Sequence, residues 1–556
     1  MMYRIISVLI TISLFSSCKK ETTPELIAKQ HRVTWKPYDE LEDLKATLDL
    51  EQSRMHLKLV NSKVLDKNKI WKSLESELDY FSEEDYNTLK PLILEKDISS
   101  LQTSIKQGEL TYEKLVLFYL YRIRKYESDN KLSLNSIIAL NPLVVKQARE
   151  FDKNDKSNID IHSVYGIPIL LKDNINAKGM PTTAGAIVLQ NNNAENAFIT
   201  NRLLEKKALL LGKTNLSEWA YFFCSGCPVE YSAVGGQTMN PYGRMVFESG
   251  GSSSGSGAVV AANFCVAAIG TETSGSILSP SSQNSVVGLK PTIGVFSRSG
   301  IVPISSTLDT PGPMTKSVID NAILYNAFLG KDTSDSASVQ VKTVSLSEIT
   351  NTNLVGKKFG VLKAYLKDSL YAGAVKNIKN SGAEIFELEP KNTDLPGFLT
   401  ILNIDMKHDL PQYIANYASD SIAIKTIEDI ITFNQQDSLI RMPYGQALLE
   451  GIMSDSTTTK ELKTIKENLK SVSRNYFDTH LDKHNLDAIL SINNYHAGYA
   501  AVAKYPAVTV PMGYTDKGEP KSLTFIAKSF SENKLLALAF AYERISKERR
   551  APLKYN

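Results

Sequence analysis

The stretch Gly250–Ser276, GGSSSGSGAVVAANFCVAAIGTETSGS, constrains this chain more than any other. Glycine and serine at this density are the composition of a flexible linker. Here they run without a break into AVVAANFCVAAIG, which has to be buried. The glycines are therefore read as places where backbone approaches backbone closely. Alanine-rich Ser256 to Asn263 predicts a helix, and Cys265 to Gly270 predicts a short buried strand. About ten helical residues advance ~15 Å and about five strand residues return ~16 Å, so a strand running back along the helix brings Ser276 to Ser252. The turn TETSG then offers backbone N–H groups to the same space.

Composition removes several alternatives. The 556 residues are 42% hydrophobic and 22% charged, an ordinary globular balance with ample core. A net charge of only +3, with no basic run interleaved with aromatics, excludes nucleic acid as an expected partner. The seven histidines (His31, His56, His162, His408, His480, His484, His496) are scattered, with no HExxH and no zinc spacing with cysteine. No metal is expected.

Residues 1–18 are set apart from the fold. Arg4 precedes an apolar run from Ile5 to Phe15, too short to span a bilayer but suited to a signal-peptide core. The ending FSSC resembles a bacterial lipobox, which makes Cys18 the expected lipidation site and the protein exported and lipid-anchored in the cell envelope, on an inner or outer membrane. A plain cleaved signal is the alternative. Residues 19–96 read as a polar tether and helical extension, with Leu41, Leu44, Leu48 and Ile70, Leu74, Leu78 at helical spacing. Beyond Asp97 two helical patterns flank a glycine, the second with Thr111 as cap and Glu113 in its first turn. The remaining domain is taken as 97–556.

Cys224 and Cys227 form a C-S-G-C. An exported compartment permits a disulfide there, but the pair lies inside a loop-rich tract rather than at the start of a helix, so no redox role is assigned. A short buried strand, Ile167 to Leu171, ends abruptly at Lys172 and Asp173. If that strand end faces the serine-rich turn, Lys172 is desolvated, which favours its neutral amine and equips it as a base.

GIPILLKDNI, GGSSSGSG and GTETSGSI occur in this order and resemble the three motifs of the amidase signature family. The resemblance spans roughly 97–545, through Val286 to Ala322 and the tract around YPAVTVPMGY. KTNLSEWA, GGQTMNPY and the glutamate at Glu272 make it closest to the bacterial peptide amidases of that family. It implies an α/β fold, an α/β/α sandwich around a large mixed central β-sheet, to which this chain adds its N-terminal extension. It also implies a Ser-Ser-Lys triad: Lys172 as base, Ser252 as bridging serine after a cis Gly251–Ser252 peptide, and Ser276 as nucleophile. The oxyanion donors would be the backbone N–H groups of Thr273, Ser274 and Gly275. No cofactor is implied, and the expected substrate is a small-molecule or peptide amide. Ser274-Gly275 replaces a glycine pair but keeps its N–H groups, and Leu278 stands where some members carry an arginine, which turns the expectation away from charged acyl groups.

Two other classes are compatible with parts of the sequence. Gly251-Ser-Ser-Ser-Gly255 also fits G-x-S-x-G, which makes Ser253 a candidate α/β-hydrolase nucleophile with His496 as its base. No clear buried strand precedes Gly251, which counts against it. A tethered ligand-binding protein could keep the same fold without turnover. A P-loop is excluded because no lysine follows the last glycine of the run. The tract 396–475 reads mostly as helices, which in relatives roof the substrate cleft; Tyr413, Tyr417 and Tyr444 within it are read as packing residues. The loops Met180–Gly185 and Trp219–Cys227 are expected to flank the pocket.

Overall fold

The computed structural model of the chain describes residues 33–390 and 394–556. The signal sequence and Cys18 lie outside the described residues. Among the described residues thirteen strands form in chain order: β1 Ile137–Leu140, β2 Pro168–Lys172, β3 Leu209–Thr214, β4 Tyr231–Ser232, β5 Gly236–Gln237, β6 Ala267–Glu272, β7 Val287–Lys290, β8 Thr310–Thr315, β9 Lys358–Leu362, β10 Glu384–Leu388, β11 Ala488–Ile492, β12 Ala507–Tyr514 and β13 Pro520–Ile526. The short β4 and β5 pair with each other, and the other eleven build one sheet in the order β1-β3-β2-β6-β8-β7-β12-β13-β11-β9-β10. The sheet is mixed: β3, β2 and β6 are parallel neighbours, whereas β6, β8, β7 and β12 alternate in direction.

Strands β2, β3, β6, β7, β8 and β11 are buried at every position. A strand with both faces dry needs cover on both sides, so helices must sandwich the sheet, and the α/β/α architecture follows. The helix Tyr112–Glu127 belongs to this cover. It is capped by Thr111, whose hydroxyl accepts the Lys114 N–H at 3.1 Å. Its Arg122 is fully buried because carbonyl oxygens of Ala262 and Tyr555 and the Tyr86 hydroxyl receive its guanidinium.

The extension is only partly helical. A helix spans Leu41–Thr47, yet Leu41 and Leu48 stay exposed, and the expected helix through Ile70, Leu74 and Leu78 is broken into a 3-10 turn and a single α turn. Spacing alone predicted a stripe. Although the helix is broken, Leu74 and Leu78 enter the main core with Trp71, Ile70 packs against it, and the Val60 carbonyl accepts the Gln237 N–H and the Asn135 side-chain amide. Among the described residues no helix is long and apolar enough to cross a membrane.

The central segment folds as helix Ser254–Ala261 followed by β6. Asn263, expected as the last helical residue, is instead left-handed (φ 57°), and the Phe264 N–H returns to the Val259 carbonyl at 2.8 Å. The strand begins two residues later than expected and runs on to Glu272, because β8 supplies partners for Thr271 and Glu272. The helix lies hard against the sheet. A β-carbon added at Gly255 would sit 2.4 Å from the Asn215 carbonyl oxygen and 2.8 Å from that of Ser136, both main-chain atoms that cannot swing aside. Gly255→Ala is therefore expected to destabilise the fold by about 1–3 kcal/mol, read as a lower urea midpoint at unchanged m-value; an unchanged midpoint would mean that the helix can shift freely.

Candidate active site

The parallel register of β2 and β6 pairs Leu171 with Ile269, so the carboxyl ends of both strands emerge side by side. In open α/β sheets this is the edge where ligands bind. Lys172, the last residue of β2, has no exposed surface. Its Nζ lies 2.7 Å from Ser252 Oγ, 2.9 Å from Thr271 Oγ1 and 3.2 Å from the Thr271 carbonyl oxygen. Among the described residues no carboxylate is bonded to it. The neighbouring Asp173 is taken by Lys213 in a buried ion pair at 2.9 Å. Burial therefore pulls the Lys172 ammonium down to about 7, against a partial opposing field from Asp309 and Glu272.

The peptide between Gly251 and Ser252 is cis. The Ser252 carbonyl accepts the Ser217 N–H at 3.0 Å, and the next residue ties the two serine segments together, with the Ser253 N–H donating to the Ser276 carbonyl at 3.2 Å. The closed helix-and-strand loop expected from the sequence thus brings its ends together. Ser252 and Ser276 line one cavity of about 670 Å³ with Thr273 and Ser274. Lys172 and Ser252 are joined directly, whereas the Ser276 hydroxyl has no hydrogen-bond partner among the described residues and shares only the cavity that Ser252 lines.

The turn after β6 is anchored by Glu272, whose Oε2 accepts the Ile277 and Leu278 N–H groups at 2.7 and 2.9 Å. Gly275 is left-handed at φ 87°, and its missing side chain leaves room for Asn494. Among the described residues the main-chain N–H groups of Thr273, Ser274 and Gly275 meet no acceptor. Three unoccupied donors on one turn beside a serine suit a developing negative charge on oxygen.

Ser253 and His496 are not brought together. The Ser253 hydroxyl bonds the main chain of Thr271, at 3.1 Å to its carbonyl and 3.2 Å from its N–H. Both His496 nitrogens are engaged, Nε2 with the Tyr476 hydroxyl at 2.9 Å and Nδ1 with the Ser491 hydroxyl at 2.7 Å. Burial lowers the His496 imidazole to about 4, so it stays neutral at physiological pH. Cys224 and Cys227 are joined in a disulfide. It closes the wall loop of the cleft, where Trp219, Ala220 and Tyr221 are all left-handed and Ala220, Tyr221 and Phe222 face the cavity.

Further lining residues come from the helical tract expected over the cleft and from segments without a recognisable signal. Phe398 and Leu402 descend from helix Phe398–Tyr417, and Asn494 and Tyr495 follow β11. Gln52 and Arg54 reach the rim from the extension, with Arg54 paired to Glu248 at 3.0 Å. Tyr413 and Tyr444 serve packing: the Tyr413 hydroxyl bonds Asn176 and Asn192, and that of Tyr444 receives the Lys58 N–H. Ala184, in the loop Met180–Gly185, holds the wall from behind by accepting the Trp219 N–H at 2.9 Å.

The family model described as Amidase matches residues 114–496. A probable amidase of Arabidopsis thaliana is 33% identical over 83% of this chain and 92% of its own length. Among solved structures, an amidase family protein from Bacillus anthracis superposes with a TM-score of 0.83 at 35% identity, covering 89% of this chain and 99% of that one. The peptide amidase of Stenotrophomonas maltophilia gives a TM-score of 0.77 at 36% identity, covering 83% and 98%.

With both its nitrogens committed to the fold, His496 is expected to matter for stability rather than for turnover. His496→Ala should cost about 1–3 kcal/mol in urea unfolding while holding kcat on an amide within about threefold; complete loss of turnover in a folded variant would reinstate it as a base.

Proposed function

The chain belongs to the amidase family, and on that premise we propose that it hydrolyses a linear carboxamide through Lys172, Ser252 and Ser276, with a peptide C-terminal amide as the favoured substrate. It is an amidase, a hydrolase of C–N amide bonds. The observation that carries the residue assignment is the buried Lys172 amine, 2.7 Å from the Ser252 hydroxyl and, among the described residues, without a bonded carboxylate. The likeness to a peptide amidase supports the choice of substrate.

In the proposed reaction the neutral Lys172 amine takes the Ser252 proton as Ser252 takes that of Ser276. The Ser276 oxygen attacks the amide carbon, and the carbonyl oxygen gains a negative charge that the N–H groups of Thr273, Ser274 and Gly275 receive. The proton returns through Ser252 to the amide nitrogen, the C–N bond breaks, and ammonia or an amine departs. This leaves an ester on Ser276. Water repeats the sequence in place of Ser276, releasing the carboxylic acid and the free serine. With a pKa of about 7, Lys172 supplies an appreciable neutral fraction at neutral pH while its conjugate acid can still return the proton.

Fluorophosphonate treatment of the protein from Lys19 onward should label Ser276, and Lys172→Ala should lower kcat about 10²–10⁴-fold with little change in melting temperature. Ammonia release from an N-acylated dipeptide amide reports turnover. Label on Ser253, or near-normal rates without the lysine, would remove the triad assignment.

For the N-terminus, the apolar run from Ile5 and the FSSC ending support lipidation at Cys18 and attachment to a bacterial envelope membrane. Cys18→Ser should then move the protein from the membrane to the soluble fraction; unchanged fractionation with an unmodified N-terminal peptide would overturn the anchor.

A further inference from the structure

Asp309 sits one residue before β8 and, by the pairing of Glu272 with Thr310, opposite Thr273 just beyond the end of the β6–β8 ladder. Its two carboxylate oxygens are both occupied. Oδ1 accepts the Thr273 hydroxyl at 2.5 Å, and Oδ2 accepts the N–H groups of Ile304 and Ser305 at 2.8 and 2.9 Å. The turn 273–275 is therefore pinned on both sides, by Glu272 through Ile277 and Leu278 and by Asp309 through Thr273. Between the two anchors lie the three N–H groups without acceptors.

The same carboxylate also reaches the cleft wall. Ile304, whose N–H it holds, lines the cavity. The next two residues are bonded to the roof: the Ser305 hydroxyl donates to Asp405 and the Ser306 N–H to Asp409, both at 2.5 Å and both on helix Phe398–Tyr417. Asp309 thus joins the turn beside Ser276 to the segment carried by the roof. An asparagine there would present one amide N–H₂ where the pattern needs an acceptor. Burial raises the Asp309 carboxyl to about 6, so it is predominantly an acceptor at neutral pH.

We propose that Asp309 is a positioning residue for amide cleavage, fixing the turn Thr273–Gly275 through the Thr273 hydroxyl so that its N–H groups meet the oxygen that becomes charged. The inference rests on the reading of Ser276 as nucleophile. A misplacement of about 1 Å costs on the order of 10²-fold in rate, and it acts on the charged intermediate more than on the bound substrate.

The test is a double-mutant cycle with Asp309→Asn and Thr273→Val, alongside Thr273→Ser and Ser276→Ala, read on ammonia release and on inhibition by a peptidyl trifluoromethyl ketone. Each of the first two is expected to lower kcat about 10–100-fold with KM within about twofold, and to weaken the ketone by a similar factor. The double variant should be no slower than the worse single one, because both remove the same bond. Thr273→Ser, which keeps the hydroxyl that bonds Asp309, should recover most of the kcat and of the ketone affinity that Thr273→Val loses. Independent, multiplying losses, or normal kcat in Thr273→Val, would overturn the proposal, and Thr273→Val alone decides if Asp309→Asn does not fold. Persistent turnover in Ser276→Ala would instead break the reading of the nucleophile on which the inference stands.

Discussion

The Lys172 amine is held in a dry site by two hydroxyls and a carbonyl, and much of the surrounding structure serves that one contact. A lysine fully removed from water loses the hydration that normally keeps it charged. An adjacent carboxylate would restore the charge, and the fold withholds one: Asp173 is bound to Lys213, while Asp309 and Glu272 act from a distance. The parallel pairing of β2 and β6 sets the geometry, since it carries Lys172 to Thr271 and to the serine that follows the helix-leading turn. In the proposed reaction this contact is what turns an unactivated serine into a nucleophile.

The second requirement is a turn that keeps its N–H groups free. Turns inside a protein normally satisfy such donors, and leaving them open is tolerated at a cavity that water or substrate can fill. Here the turn is held through side chains, Glu272 on one side and Thr273 with Asp309 on the other, so its main chain remains available. The wall opposite is built differently. Trp219 to Phe223 share a hydrophobic cluster with Met406, Leu410 and Leu449 of the helical roof, so the shape of the cleft depends on packing between segments far apart in sequence.

This division explains what was legible in the sequence. The serine-rich helix, the return strand and the approach of the Ser252–Ser253 turn to Ser276 were readable because they lie within one short segment whose lengths must match. The boundaries shifted by two residues where tertiary partners intervened: Asn263 ended the helix as a left-handed residue, and β8 extended β6 to Glu272. Lys172 was marked as a candidate by the resemblance rather than by its strand end alone, because its burial depends on the whole sheet. Phe398 lies in the helical tract expected over the cleft, whereas Asp309, Arg54 and Asn494 gave no local signal, because each acts through a neighbour that only the completed fold provides. In the extension the spacing held for Leu74 and Leu78, which are buried in the core, but failed for Leu41 and Leu48, which are exposed, and missed the buried Trp71.

The account turns on whether Lys172 is neutral near physiological pH, and its titration can be observed without any substrate. The ¹³Cε resonance of Lys172, in folded protein with labelled lysine and assigned by its loss in Lys172→Ala, should move with a midpoint near 7. A midpoint near the ordinary lysine value of about 10.4 would show a permanently charged ammonium beside Ser252, and would contradict its use as the base.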